Sequence, residues 1–257
     1  MKPNPESEVV KIENLEKRYQ GTDGFALKGL NLAIRRQEIF GLLGPNGSGK
    51  TTTLSIICGI RKPDKGTVQL FGQDIKTGIN AIKALMGYVP QEIALYPKLT
   101  LQENLKYFAS LHGLSGNKLK ERIEFCLKVA RLENHAKKRI DSFSGGMKRR
   151  SNLVVGIIHN PSLLLLDEPT VGVDPQSKNA IFEALNALRE NGMTMIYTTH
   201  YMEEVETLCD SIGIMDNGKM IIQGHASDLI RQTPDCTNIG EVFLALTGKQ
   251  LRDESDS

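Results

Sequence analysis

No stretch of the 257 residues approaches the ~18 consecutive apolar side chains that a membrane-crossing helix needs. The opening residues, Met1 to Glu8, are polar and lack the apolar segment of a secretory leader. Service to a membrane is therefore expected to run through another chain. Cysteine is sparse: Cys58, Cys126, Cys209 and Cys236 lie far apart, with no C-x-x-C spacing, which argues against a zinc site or a redox pair. They read as reduced, buried, cytosolic thiols. Excess charge is missing too. The 32 basic residues nearly balance 30 acidic ones for a net charge of +2, so the global field points to no nucleic-acid partner. What is present is a core. With 40% hydrophobic residues, a chain of this length supports one large α/β domain or a core with a smaller lobe inserted into it.

The most informative stretch is Gly44-Pro45-Asn46-Gly47-Ser48-Gly49-Lys50-Thr51, which meets every fixed position of the phosphate-cradling pattern G-x-x-x-x-G-K-S/T. Its context agrees. Glu38 to Leu43 reads as a short buried strand before it, and Thr52 to Ile57 as an apolar helix after it. Glycines let the backbone curl until successive N–H groups face phosphate oxygens, and the helix adds the positive end of its dipole. Lys50 is expected at the β- and γ-phosphates, Thr51 on Mg²⁺, and Thr52 beside them.

Before this loop, Val9 to Tyr19 and Ala26 to Ile34 alternate as strands do. Tyr19 admits two readings, an aromatic that stacks on adenine or a half-buried strand tyrosine. After the loop, Lys62 to Gly66 is a turn, Thr67 to Phe71 a strand, and Gly87 to Gln91 the end of another. The Gln91 amide suits a neutral, withdrawable ligand for Mg²⁺ or water, or is simply a loop residue. From about Ile93 to Pro161 the period becomes helical, with Glu103–His112 and Lys118–Leu132 as the clearest segments. His112 and His135 are expected to be solvated rather than ligands, and Lys137–Arg139 and Lys148–Arg150 to be solvated helix faces. Ser144-Gly145-Gly146 at a helix start offers an N-cap hydroxyl and open backbone N–H groups. That makes a second anion site, distant in sequence from the first.

Leu163 to Leu166 suits a strand buried on both faces, and it closes on Asp167 and Glu168. Alternation should point the two acids in different directions. Asp167 then fits Mg²⁺ coordination and Glu168 the base that polarises an attacking water. Asp174 lies in the loop before an amphipathic helix, Gln176–Asn191, which Gly192 ends. His200 follows a buried strand, Met193–Thr199, at the strand end where such sheets meet ligands. It reads as a γ-phosphate sensor or as a cap. Glu203–Cys209 is helical, Ile212–Met215 and Met220–Gln223 form an edge hairpin about Asn217-Gly218, and His225–Arg231 and Ile239–Leu246 are closing helices.

Taken in order, these motifs resemble the nucleotide-binding subunit of an ATP-binding cassette (ABC) transporter over nearly all of residues 8–246. The resemblance matches Gly44–Thr51 to the phosphate loop, Gln91 to the Q-loop and Phe143-Ser144-Gly145-Gly146-Met147 to the signature. Asp167 and Glu168 match the Walker B acids, Val171–Asp174 the D-loop, His200 the switch histidine, and Tyr19 the adenine-stacking aromatic. It departs in two places: Phe143 and Met147 stand where Leu and Gln are commoner, and Val171-Gly172-Val173 where Ser-Ala-Leu is. Met147–Arg150 and Thr199–Glu204 resemble the subfamily paired with type-2 exporter permeases, including drug-resistance exporters.

The resemblance implies an α/β P-loop NTPase core with a mainly parallel sheet, an antiparallel β subdomain and an inserted helical lobe. One domain is expected over 8–246, its core in 8–92 and 162–246 and its signature lobe in 93–161, with 1–7 and 247–257 as disordered tails. ATP hydrolysis with Mg²⁺ is the implied activity. The implied partners are a second ATPase subunit, with Ser144, Gly145, Gly146 and Asp174 contacting nucleotide, and a separate integral-membrane permease at the cytoplasmic side of the cell membrane. A soluble cassette ATPase uncoupled from transport is the rival reading. The segment from Gln91 to Ser144 is too short for the long coiled coils of DNA-maintenance relatives.

Overall fold

Apolar side chains at alternate positions make the first segment two long strands, and switches to helical period place the rest. The computed structural model describes residues 8–21 and 24–248. These form, in chain order, β1 (Glu8–Arg18), β2 (Phe25–Arg35), β3 (Ile39–Leu43), α1 (Lys50–Ile57), β4 (Lys65–Leu70), β5 (Gln73–Asp74), α2 (Ile75–Lys83) and β6 (Met86–Val89). There follow α3 (Leu101–Leu111), α4 (Gly116–Ala130), α5 (Gly145–Gly156), β7 (Leu163–Asp167), α6 (Pro175–Glu190) and β8 (Thr194–Thr199). The chain closes through α7 (Met202–Leu208), β9 (Ser211–Asp216), β10 (Lys219–Gly224), α8 (Ala226–Gln232) and α9 (Ile239–Thr247). Two compact units result, one from Met1–Ile82 with Thr194–Ser257, the other from Lys83–Met193.

In the first unit, β2, β1, β4 and β5 form an antiparallel sheet in that order. Beside it, β3 pairs in parallel with both β8 and β9. The chain then reverses from β9 into the edge strand β10 through Asn217 (φ 48) and Gly218 (φ 78), two left-handed residues that match the strand twist. The core under α7, α8 and α9 gathers Leu43, Val205, Ile212, Ile214, Leu229, Ile239, Val242 and Phe243, none more than 1% exposed. Here α7 comes so close to β3 that a side chain on Gly41 would meet Cys209 Sγ at 2.8 Å and Val205 Cγ1 at 2.9 Å.

In the second unit, β6 and β7 pair in parallel from Met86 opposite Leu163 to Val89 opposite Leu166. Leu163 to Leu166 are each 0% exposed, so the expected two-sided burial holds, and each such side chain contributes about 1.5–3 kcal/mol. α3 starts at Leu101, ahead of the expected Glu103, because Thr100 and Glu103 form a reciprocal capping box. The helix α2 has no counterpart in the sequence reading, although Ile75 and Ile82, both buried, already mark one helical face.

Of the four cysteines only Cys126 is buried outright; Cys58, Cys209 and Cys236 are half-buried rather than enclosed as expected. Burial pushes the Cys126 thiol up to about 12. Of the tails expected to be disordered, 1–7 and 249–257 lie outside the described residues, whereas Thr247 ends α9 and Gly248 caps it.

His112, expected to be merely solvated, stacks face to face on His159, with centroids 3.8 Å apart and planes within 1°. His159 Nε2 donates to the Met86 carbonyl at 2.8 Å. Burial, helped by His112 and Arg122, holds its pKa down at about 4. A histidine depressed below its ordinary ~6.5 binds more protons unfolded than folded, so stability falls as pH drops from about 6.5 and levels off near 4. His159→Phe, which cannot take up that proton, should lose less of its thermal midpoint than wild type between pH 7 and 4.5. Equal losses in differential scanning fluorimetry would exclude this source.

Candidate functional site

The loop between β3 and α1 is a cradle made of backbone. Gly47 (φ 78) and Gly49 (φ 108) occupy left-handed geometry. A side chain on Gly44 would meet the Met215 carbonyl at 2.4 Å and Ser48 Oγ at 2.6 Å. No side chain caps the start of α1, so its first N–H groups are presented for an anion. Lys50 is buried, 4% exposed, and its Nζ donates to the carbonyls of Gly44 at 2.8 Å and Pro45 at 3.3 Å. The ammonium therefore lies folded on the loop. Ser48 is 2% exposed and its hydroxyl has no hydrogen-bond partner among the described residues. A buried donor of that kind costs about 1–3 kcal/mol unless something binds it. The donor set fits phosphate.

Around this cradle, Asn46 and Thr51 are exposed and Thr52 is half-buried. The Tyr19 hydroxyl is 3.2 Å from Thr52 Oγ1. The Arg61 guanidinium lies 5.6 Å from the Tyr19 ring centroid. Tyr19 is half-buried and also stands beside α1, so the two readings of this residue are compatible. His200 follows the last residue of β8, its ring 4.1 Å from that of Tyr201.

The second unit assembles the carboxylates. Asp167, 2% exposed, ends β7 and accepts from the Tyr88 hydroxyl at 3.4 Å. Glu168, 6% exposed, accepts from Gln91 Nε2 at 3.5 Å. The two acids thus engage different partners, Asp167 as the last residue of β7 and Glu168 just beyond it. Glu168 has φ 45, a left-handed conformation that costs a non-glycine residue on the order of 1–3 kcal/mol and that concentrates at functional sites.

Ser144 caps α5, accepting from the Met147 N–H at 3.3 Å. A side chain on Gly145 would meet open space, while one on Gly146 would strike Ser177 Oγ at 2.0 Å. So Gly146 is required by close approach of the α6 start, and Gly145 leaves the α5 N-terminus uncovered. Asp174 caps α6, receiving the Ser177 N–H at 2.9 Å, and Pro175 fits the first helical position. Those hydrogen bonds hold the Asp174 carboxyl below the usual range.

Within the run Lys148–Arg150, the two arginines are not the solvated face that their charge suggested. Arg149 donates to the Gln91 carbonyl and, at 3.1 Å, to the Val171 carbonyl. Arg150 donates to the Ala130 carbonyl at 2.6 Å. Asn152, 3% exposed, grips the same segment from both sides, donating to Pro90 O at 3.1 Å and accepting from Ala94 N at 3.1 Å. Sequence reasoning passed over Arg149 and Asn152 as parts of the site. Their spacing of three on one helix face was the available signal. Together they tie the Gln91 loop and the Val171 loop to the helix that Ser144 begins.

The ABC transporter family pattern matches residues 27–171. The chain belongs to the ABC transporter family. Among relatives, it is 46% identical over 240 residues to the linearmycin resistance ATP-binding protein of Bacillus subtilis, covering 93% of this chain and 75% of that one. It is 41% identical over 235 residues to the Nod factor export ATP-binding protein I of Ralstonia nicotianae, covering 91% and 72%. Among solved structures, an ATP-binding subunit of an ABC transporter superposes with TM-score 0.83 at 30% identity, covering 93% of this chain and 99% of that one. A dimeric ATP-binding cassette in a post-hydrolysis state, bound to ADP and Pi, does so with TM-score 0.76 at 30% identity, covering 84% and 98%.

The chain is thus an ATP-binding ABC subunit with ATPase activity, built as an α/β P-loop NTPase. Phe143 is 5% exposed, as suits an apolar position, and Met147 serves Ser144 through its backbone N–H, which any side chain supplies.

Proposed function

We propose that this ABC subunit is the motor of an exporter, forming one ATPase domain over residues 8–246 that works as a homodimer on a separate integral-membrane permease at the cytoplasmic face. The observation that carries it is the pair of anion sites: the Gly44–Thr51 cradle and the uncovered α5 N-terminus behind Ser144. Each copy holds ATP at its own cradle, with Tyr19 against the adenine and Lys50 and Thr52 on the phosphates. Ser144, Gly145 and Gly146 of the other copy, with its Asp174 loop, cap the terminal phosphate. Two-fold symmetry makes two such sites from one kind of surface. Solved dimers of similar cassettes support this reading.

Thr51, Asp167 and Gln91 are the groups offered to magnesium, which would neutralise charge developing on the phosphates. Glu168 polarises the attacking water, and His200 hydrogen-bonds the γ-phosphate and registers its presence. Loss of the γ-phosphate removes the bridge to the opposite Ser144, and the pair reopens. The Gln91 loop then moves Glu92–Leu99. Tyr96 there is 45% exposed and rests edge-on against Tyr107, 41% exposed, at 4.9 Å, which supports this segment as the permease-facing ledge. The printed roles of the relatives, linearmycin resistance and Nod factor export, support export.

For Ser144→Ala, ATP-dependent dimerisation should weaken by roughly 100-fold, the equivalent of one charge-assisted hydrogen bond at each of the two sites. Gel filtration of a hydrolysis-blocked background with ATP and magnesium measures it, and an undiminished dimer would remove the trans contact.

A further inference from the structure

His200, the proposed γ-phosphate sensor, is flanked by a buried polar network that the reaction itself does not use. Tyr197 and Thr199 lie two apart on β8 and so share one face, and that face meets α7. Tyr197 is 0% exposed, Thr199 1% and Glu204 1%. The Tyr197 hydroxyl and the Thr199 hydroxyl both donate to the same oxygen, Glu204 Oε2, each at 2.8 Å. Thr199 Oγ1 in turn accepts the Tyr201 N–H at 3.0 Å. The residues immediately before and after His200 are therefore held by one chain of hydrogen bonds that ends on Glu204.

Burying a carboxylate is costly unless its bonds are good, and an apolar side chain would cover β8 equally well. What the carboxylate adds is direction. It is acceptor-only, so both hydroxyl protons are committed to it, and the lone pairs of Thr199 are left for the Tyr201 N–H. The base of this network is firm, because Val205 on the same helix and Cys209 at its C-cap are pressed against Gly41 of β3, the strand that enters the phosphate loop.

We propose that Glu204 is a positioning residue: through Thr199 and Tyr201 it fixes the backbone that carries His200, and so aims the imidazole. This rests on the proposed role of His200. In the full chain with ATP and magnesium, Glu204→Leu should lower kcat by roughly 10- to 100-fold, the scale of a misplaced group. KM for ATP should change less than about twofold, since the cradle is untouched. Glu204→Gln keeps an acceptor oxygen and should restore kcat to within about threefold.

A double-mutant cycle separates aim from mere stability: in a His200→Ala background, Glu204→Leu should cost nothing more. Independent, multiplying losses would overturn the proposal. Thr199→Val, nearly isosteric, takes the same place in the cycle if Glu204→Leu does not fold. The His200 imidazole NMR signal, assigned by its loss in His200→Ala, gives a readout free of turnover. It should shift in Glu204→Leu or Thr199→Val, and an unmoved signal overturns the positioning role. Wild-type hydrolysis by His200→Ala would instead strike at the sensor role, leaving the signal to decide the role of Glu204.

Discussion

Glu168→Gln is expected to slow ATP turnover by roughly 10² to 10⁴, the usual contribution of a general base, with ATP binding intact. The amide keeps the size of the side chain and an oxygen toward Gln91, but loses the negative charge proposed to polarise water. The buried setting sharpens the effect. Glu168 is 6% exposed and held at φ 45, so its carboxyl acts from a buried, fixed backbone. Asp167 is the adjacent candidate to replace it, yet it ends β7 with its carboxyl engaged by the Tyr88 hydroxyl. A variant that binds without hydrolysing should also hold the ATP-bound dimer closed, which makes it the background of choice for testing Ser144. Phosphate release within a few-fold of wild type would assign the base to another group.

Lys50→Ala acts earlier, on binding itself. The ammonium is buried and bound to two loop carbonyls, so it is a strut of the cradle as well as the charge that the proposed function offers to the phosphates. Removing one partner of a buried charged contact costs about 2–5 kcal/mol, roughly 30-fold or more in affinity. Isothermal titration with ATP and magnesium should show that loss, and unchanged affinity would count against the cradle. Lys50→Arg separates the two roles. The charge remains, but the planar fork is too bulky to lie on the Gly44 and Pro45 carbonyls, so binding should again fall.

Much of the site was legible because its chemistry is local. Gly44 to Thr51 carries its own geometry: the glycines that allow φ 78 and φ 108 and the lysine that folds back on the loop are all within eight positions. The same holds for Ser144 as a helix cap and for Asp174 followed by Pro175. The Leu163–Leu166 run announced a strand buried on both faces. Arg149 and Asn152 were not legible, because a charged helix face is written the same way whether solvent or a distant carbonyl receives its donors. The left-handed backbone of Glu168 was not legible either, since such a residue after a strand end leaves no mark in an apolar pattern.

By themselves, the residues in order determined the family, the phosphate loop, the pair of acids and the cap at Ser144, because each depends on contacts between near neighbours in the chain. Only the tertiary structure decided that α5 ties down the Gln91 and Val171 loops. It also decided that His159 is stacked on His112 where burial holds its pKa down, and that Glu204 receives the hydroxyls of Tyr197 and Thr199 beside His200. These depend on burial and on partners far along the chain, and a side chain's burial is a property of what covers it, which no single position encodes.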